Sequence, residues 1–315
     1  MTQITDSAKL DTARTAIHTT FNGVFGAGEL PGVAKALTAE LDTNQVTNNV
    51  VLLDQVTKWR KWLGPKVHRG DRAYGYTIKI EPWERTHDIK RMDLQYDGAG
   101  IVSSGHTNFI TDGAQFFDQR IFELYASNPV GYDGVPLISS SHPHSPTGGV
   151  QSNKTTAALT EATLAAAFQA QRKIQRENGD YFGLTPMYLA VHSDNREYAQ
   201  RLLGPQLPVA ITNAGAWPGT SNVVGAVPLD NPYAGRVKLL DSPLFNSTSD
   251  WFLASPSGVL CPFVALWGRR PALYEQFQMT DQLRMEWDIF TASLECDVGF
   301  GAGLWQTIYG RNGAS

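Results

Sequence analysis

Asp133, His142 and His144 are the residues whose types could most readily do chemistry, since two imidazoles and a carboxylate can supply three ligands to a metal ion. Their spacing matches no specific metal signature. The Pro, Gly and Ser residues around them describe an ordered loop, in which a histidine hydrogen-bonded to its own loop is the better reading. The pairs Asp88/Asp93 and Glu295/Asp297 suit acid–base work by type, yet they lie in solvated or strand-alternating stretches and read as salt links. Ser103-Ser104 and Ser139-Ser140-Ser141 lack the Gly-x-Ser-x-Gly of a nucleophile elbow. Gly98-Ala99-Gly100 and the run Gly299 to Gly303 lack the Gly-Lys-Ser/Thr and βαβ setting of a phosphate loop. No catalytic set emerges, so the expectation is a structural protein without enzyme activity, metal or cofactor. A hydrolase using Asp133, His142 and His144 is the alternative of a different class.

The segment from Trp59 to Asp97 carries a different kind of signal. It opens with the basic, aromatic run Trp59-Arg60-Lys61-Trp62-Leu63-Gly64, then alternates through Tyr76, Ile78 and Ile80 on one face and Thr77, Lys79 and Glu81 on the other. The spacing predicts a turn at Glu81-Pro82-Trp83 and a return limb from Glu84 to Leu94. That limb has too few apolar residues to give a two-stranded hairpin its own core. A hairpin of this kind is ordered by lying on a neighbouring subunit, with tryptophan and arginine as anchors; the plainer reading is a surface hairpin on a monomer. The interface residues expected on this basis are Trp59, Arg60, Trp62, Ile78, Ile80, Trp83, Arg85 and Arg91.

These residues need a framework, and 315 residues are enough for one large domain or two ordinary ones. With 42% hydrophobic and 18% charged residues, the chain reads as globular, and its 29 Gly and 17 Pro favour many turns. A net charge of −4 argues against a protein that grips nucleic acid through phosphates. Cys261 and Cys296 make no framework and read as buried thiols in a reducing compartment. Residues 1–6 have no signal-peptide character and no window suits a membrane span, so folding in the cytosol and no membrane partner are expected.

Along the chain, the first 60 residues read as an extended arm with short helices. Asp112 can cap a helix running to Ser127, ended by Asn128-Pro129. A second helix starts at Thr160, with Leu164, Ala167, Phe168, Gln171 and Ile174 on one face, and stops at Asn178-Gly179. Met187 to Val191 reads as a strand, followed by a capping box of Asp194 and Glu197. Loops dominate 205–249, and strands return at 250–254, 259–267 and 286–296. The class is α+β.

In this order the features resemble the major head (capsid) subunit of Mu-like tailed phages, the gene product T family, with the Hong Kong 97-type coat protein fold. The residues that carry the resemblance are Trp62-Leu63-Gly64, Thr77 to Ile80, Trp83 to Thr86, Ile89 to Asp93, Tyr132-Asp133-Gly134 with His142 and Asn153, Pro186 to Val191, Asp250 to Leu253, Arg269-Arg270-Pro271 and Val298 to Gln306. The resemblance spans about residues 55 to 310 and implies an N-terminal arm (1–62) and an extended loop (63–100). It implies a peripheral domain (101–185, with a spine helix at 112–127, and return strands at 266–315) and an axial domain (186–265). It further implies a subunit that assembles with itself as hexamers and pentamers into an icosahedral head, within the virion and built in the host cytoplasm. Portal, scaffold and decoration proteins are the implied partners, with double-stranded DNA enclosed without sequence-specific contact. The alternative on the same fold is an encapsulin-like or prophage-remnant shell.

Overall fold

A computed structural model describes residues 6–26, 28–54, 61, 72–90, 92–93, 96, 101–144, 149–176, 178–209, 227–258, 260–276 and 287–313. In chain order the elements are helices α1 (Asp6–Phe25) and α2 (Gly32–Leu37), strands β1 (Thr38–Asp42), β2 (Thr47–Asp54), β3 (Arg72–Lys79) and β4 (Glu81–Lys90), and helix α3 (Ile101–Ser127). Then come β5 (His142–His144), β6 (Gly149–Gln151), α4 (Glu161–Arg172), β7 (Tyr188–His192), α5 (Arg196–Leu202), β8 (Gln206–Val209), β9 (Val227–Asp230), β10 (Lys238–Ser242), β11 (Trp251–Ala254), β12 (Phe263–Gln276), β13 (Ile289–Ala302) and β14 (Ile308–Arg311). The class is α+β, as the sequence implied.

The chain folds as two compact units. The first joins Met1–Leu53, Ala73–Leu124 and Gly258–Gly303; the described part of the second comes chiefly from Tyr125–Ser257 and Leu304–Ser315. One division falls after Leu124, so residues 125–185 lie in the same unit as 186–257 of the segment expected to be axial, while 258–265 lie in the first unit.

In the first unit a four-stranded sheet runs in the order β1-β12-β13-β4. β1 pairs in parallel with β12, while β12, β13 and β4 are antiparallel. Helix α3 covers one face: Phe117 packs on Trp267 (5.8 Å) and Phe300 (6.5 Å). Gly113 sits where a Cβ would meet Leu294. The helix starts at Ile101, eleven residues before the cap expected at Asp112. Asp112 lies inside it with its carboxylate 3.3 Å from Arg85, because burial of Phe109 and Ile110 on the preceding turn outweighs a local capping preference.

The arm is built into this unit. Ile17 and Phe25 of α1 are buried, and Arg14 and His18 both reach the Glu275 carboxylate of β12. Asp118 of α3 accepts the Ala34 N–H at 2.7 Å, supplying from outside the cap that Pro31 cannot give α2. Glu40 of β1 accepts from Trp267 Nε1 (2.8 Å) and from Arg270 (2.9 Å), which ties β1 to its neighbour β12.

The second unit centres on the sheet β10-β7-β11-β14. Leu164, Ala167 and Phe168 of α4 and Ala199 and Leu202 of α5 close a core with Leu189, Val191, Trp251 and Leu253. Thr160 caps α4 reciprocally with Thr163. This helix ends at Arg172, six residues before the stop expected at Asn178-Gly179. The box expected at Asp194 and Glu197 is not formed; Ser193–Asn195 make a 3₁₀ turn in which His192 accepts the Asp194 N–H at 3.1 Å.

Candidate assembly surface

The hairpin expected from Tyr74 to Leu94 is not one hairpin. β3 pairs with β2, and β4 pairs along its whole length with β13, from Glu81↔Val298 to Lys90↔Ile289. The alternation through Glu81-Pro82-Trp83 is the chain leaving a two-stranded ribbon and entering a large sheet. Sparse apolar residues in β4 suit an edge strand, which needs only one covered face.

Ile78 and Ile80 accordingly lie in their own chain's core, with Ala39, Cys261, Val264 and Leu266. The glycines of β13 explain how. A Cβ on Gly299 would strike the Lys79 carbonyl, and one on Gly301 would strike the Ile78 side chain. Gly299 and Gly301 thus leave a slot in the sheet face that the end of β3 fills. The Ile80 N–H donates to the Val46 carbonyl at 2.9 Å, fixing the other strand of the ribbon at the same place. The glycine run first met as a failed phosphate loop is the seat of the ribbon.

Trp83 and Arg85 are also engaged within the chain. Trp83 packs on Phe116 (4.9 Å), donates Nε1–H to the Val298 carbonyl (3.3 Å) and lies under the Arg120 guanidinium (4.9 Å). Arg85 reaches Asp112 and lies over the Phe109 ring (5.2 Å). Trp59, Arg60, Trp62 and Arg91 lie outside the described residues, as does 98–100.

Beside Trp83 opens a groove of about 390 Å³ in the first unit. Phe25, Trp83, Phe116, Phe117, Leu294 and Cys296 give it apolar walls, and Glu84, Arg85, Asp112 and Glu295 bring charge. Glu84 and Glu295 stand directly opposite each other on β4 and β13. Arg269 reaches both Glu295 (3.0 Å) and Asp297 (3.2 Å). Asp88 accepts from Thr291 at 2.8 Å. Glu295 and Asp297 form salt links and Asp88 a ladder contact, as their setting implied. Burial pushes the Cys296 thiol up to about 12, with the Asp297 charge adding to the effect, which makes it an inert core thiol.

In the second unit the imagined metal ligands serve the fold. His142 is fully buried, with Nδ1 2.7 Å from Asp133 Oδ2 and Nε2 3.2 Å from Asn153 Oδ1. Its ring stacks on Trp305 at 4.0 Å, nearly parallel. Asn153 donates to the carbonyls of Leu137 (2.7 Å) and Trp305 (3.1 Å) and accepts the Ser139 N–H. Gln306 donates to the Tyr132 hydroxyl at 2.6 Å. His144 turns away, with Nε2 3.3 Å from the Arg176 carbonyl. Among the described residues no group of three or more His, Cys, Asp or Glu side chains is placed to hold a metal ion. No described helix is long and apolar enough to cross a membrane.

A sheet-covering long helix with an extended two-stranded ribbon, and a second unit of central sheet and flanking helices, make the fold of phage capsid proteins. The procapsid protein of bacteriophage JBD30 superposes with a TM-score of 0.53 at 16% identity, over 98% of this chain and 75% of that one. The capsid protein of cyanophage P-SCSP1u gives 0.54 at 12% identity, over 87% and 86%. The virus-like particle of Pyrococcus furiosus gives 0.52 at 10% identity, over 96% and 98%. Likeness at such identities is one of fold.

Sequence narrows the class: residues 10–159 match the family model of the Mu-like prophage major head subunit gpT. No curated protein matches the sequence. The match to that family model and the fold together support a major capsid protein of a tailed phage, the reading that the ordered motifs implied.

Proposed function

We propose that many copies of this chain associate as hexamers and pentamers into the closed icosahedral shell of a tailed-phage head, enclosing double-stranded DNA. The match of residues 10–159 to the Mu-like head subunit family carries this reading. The first unit serves as peripheral domain, the second as axial domain, and the β2–β3 ribbon as the extended loop that lies over a neighbour. A two-stranded ribbon is marginal in isolation, and closed symmetric packing covers it in every copy. The work of the chain is association rather than catalysis. Portal, scaffold and decoration proteins complete the set of partners, and the head forms in the host cytoplasm.

The mild negative charge keeps the shell from binding the DNA it holds. The test is sedimentation and nucleic-acid content of particles formed by the chain with its neighbouring genes. Large particles with double-stranded DNA are the expected result; particles filled with protein would favour an encapsulin-like shell, and a dispersed monomer would overturn both.

A further inference from the structure

The groove beside Trp83 carries more negative charge than its neighbouring cations match. Glu84 and Glu295 stand directly opposite each other on β4 and β13, an arrangement that costs a sheet stability. The Arg269 guanidinium serves both Glu295 (3.0 Å) and Asp297 (3.2 Å), and Arg85 serves Asp112 (3.3 Å). Among the described residues Glu84 forms no ion pair, and its carboxylate accepts the Thr86 hydroxyl at 2.8 Å. Four carboxylates thus share two guanidiniums, which leaves two negative charges in excess. Arg120, above the groove, is matched by Glu123 at 3.1 Å.

The walls between these charges are apolar and largely aromatic. Trp83 and Phe116 are half-buried, and the Arg120 guanidinium lies over both rings, 4.9 Å from Trp83 and 5.4 Å from Phe116, so these faces already receive a cation. The carboxylates stand on both sides of the groove, Glu84 and Glu295 on the strands and Asp112 on α3. They are not gathered around one point: among the described residues no three acidic, His or Cys side chains are placed to hold a metal ion. A groove of about 390 Å³ with this lining suits a cation whose charges are spread along an apolar chain, rather than a compact metal ion.

We propose that the groove lined by Trp83, Glu84, Asp112, Phe116 and Glu295 binds an aliphatic diamine or polyamine, the class of putrescine and spermidine. One ammonium meets Glu84 and Glu295 on the strands, the methylenes lie against Trp83 and Phe116, and a second ammonium meets Asp112 on α3. Each ammonium brings several N–H donors to charged acceptors, and the first relieves the repulsion between the opposed glutamates. Bound in this way, the ligand ties β4 and β13 to α3. The site belongs to each folded copy, dispersed or assembled, and goes beyond the reading of the chain as a shell subunit.

The test is calorimetric titration of spermidine into the purified full chain at constant ionic strength, with the melting temperature read on the same samples. Saturable binding of one spermidine per chain and a raised melting temperature are expected. Glu84→Gln should weaken binding about tenfold, the worth of one charge-assisted contact, while the unliganded variant melts no lower than the parent because the opposed like-charge pair is gone. Magnesium at the same ionic strength should leave the affinity for spermidine unchanged. Absence of saturable binding, equal affinity in Glu84→Gln, or displacement by magnesium would overturn the proposal. Spermidine that binds dispersed chain and is excluded from assembled particles would assign the groove to a contact between copies and overturn it as well. Absence of particles would instead count against the capsid reading and leave the titration of the dispersed chain decisive.

Discussion

Trp83 and Phe116 of one chain pack ring against ring at 4.9 Å, so a tryptophan whose type suggested an anchor for a neighbour first fastens β4 to α3. Its indole N–H also bonds the Val298 carbonyl. Trp83→Ala should therefore destabilise the subunit itself, by about 1–3 kcal/mol for a partly buried aromatic, in urea unfolding of the unassembled chain. Unchanged stability with lost assembly would restore it to a purely intersubunit role. Removal of Tyr74 to Met92, which a free hairpin would tolerate, should unfold the first unit, because it takes away Ile78, Ile80 and Ile89 from the core.

A shorter change separates folding from assembly. Replacing residues 55–71 by a tight turn keeps β2, β3 and the glycine slot, so the subunit should fold with its parent melting temperature and fail to close shells. Normal shells from this variant, seen by dynamic light scattering, would remove the ribbon from the assembly mechanism.

The slot predicts a size limit. Gly301→Val introduces atoms where Ile78 already lies, and overpacking costs about 1–3 kcal/mol. Combining it with Ile78→Ala should recover part of the loss, measured as a double-mutant cycle. Strict additivity would show that the two positions do not share the space.

Part of this was legible in the sequence and part was not. The α4 face, the Met187–Val191 strand and the structural role of His142 follow from local pattern, because each is decided within a few turns of chain. The division of Tyr74–Lys90 between ribbon and sheet was not legible: its alternation is right for a strand, but the partner of β4 is about 200 residues away. Gly299 and Gly301 gave a signal, two glycines on one face of a strand, whose meaning depends on what crosses them. The onset of α3 at Ile101 was hidden because Asp112 is a good cap by type while the tertiary environment favours continuing the helix.

Asp118 gives a pH dependence. Burial pushes its carboxyl up, more than the N–H groups of Ala34 and Val33 pull it down. A raised folded value means the folded chain holds that proton more tightly than the unfolded chain. The contribution is therefore fully present below the ordinary carboxylate pKa of about 4 and is lost as pH rises through the raised value. Asp118→Asn, which keeps an acceptor for Ala34, should lose stability relative to the parent at low pH and recover relative to it as pH rises, in urea titrations across that window. A difference independent of pH would contradict this.

The buried His142–Asp133 pair predicts that chelators leave the melting temperature unchanged, whereas Asp133→Ala, which strands a buried ring nitrogen, costs about 2–4 kcal/mol. A large fall in melting temperature on chelation would show a metal where the geometry places a hydrogen-bonded loop.

The most direct test of the central claim is negative-stain electron microscopy with light scattering on the purified chain, expressed alone and with its neighbouring genes. Round or tubular closed shells are the predicted result. A stable monomer or small oligomer under every condition would contradict the account.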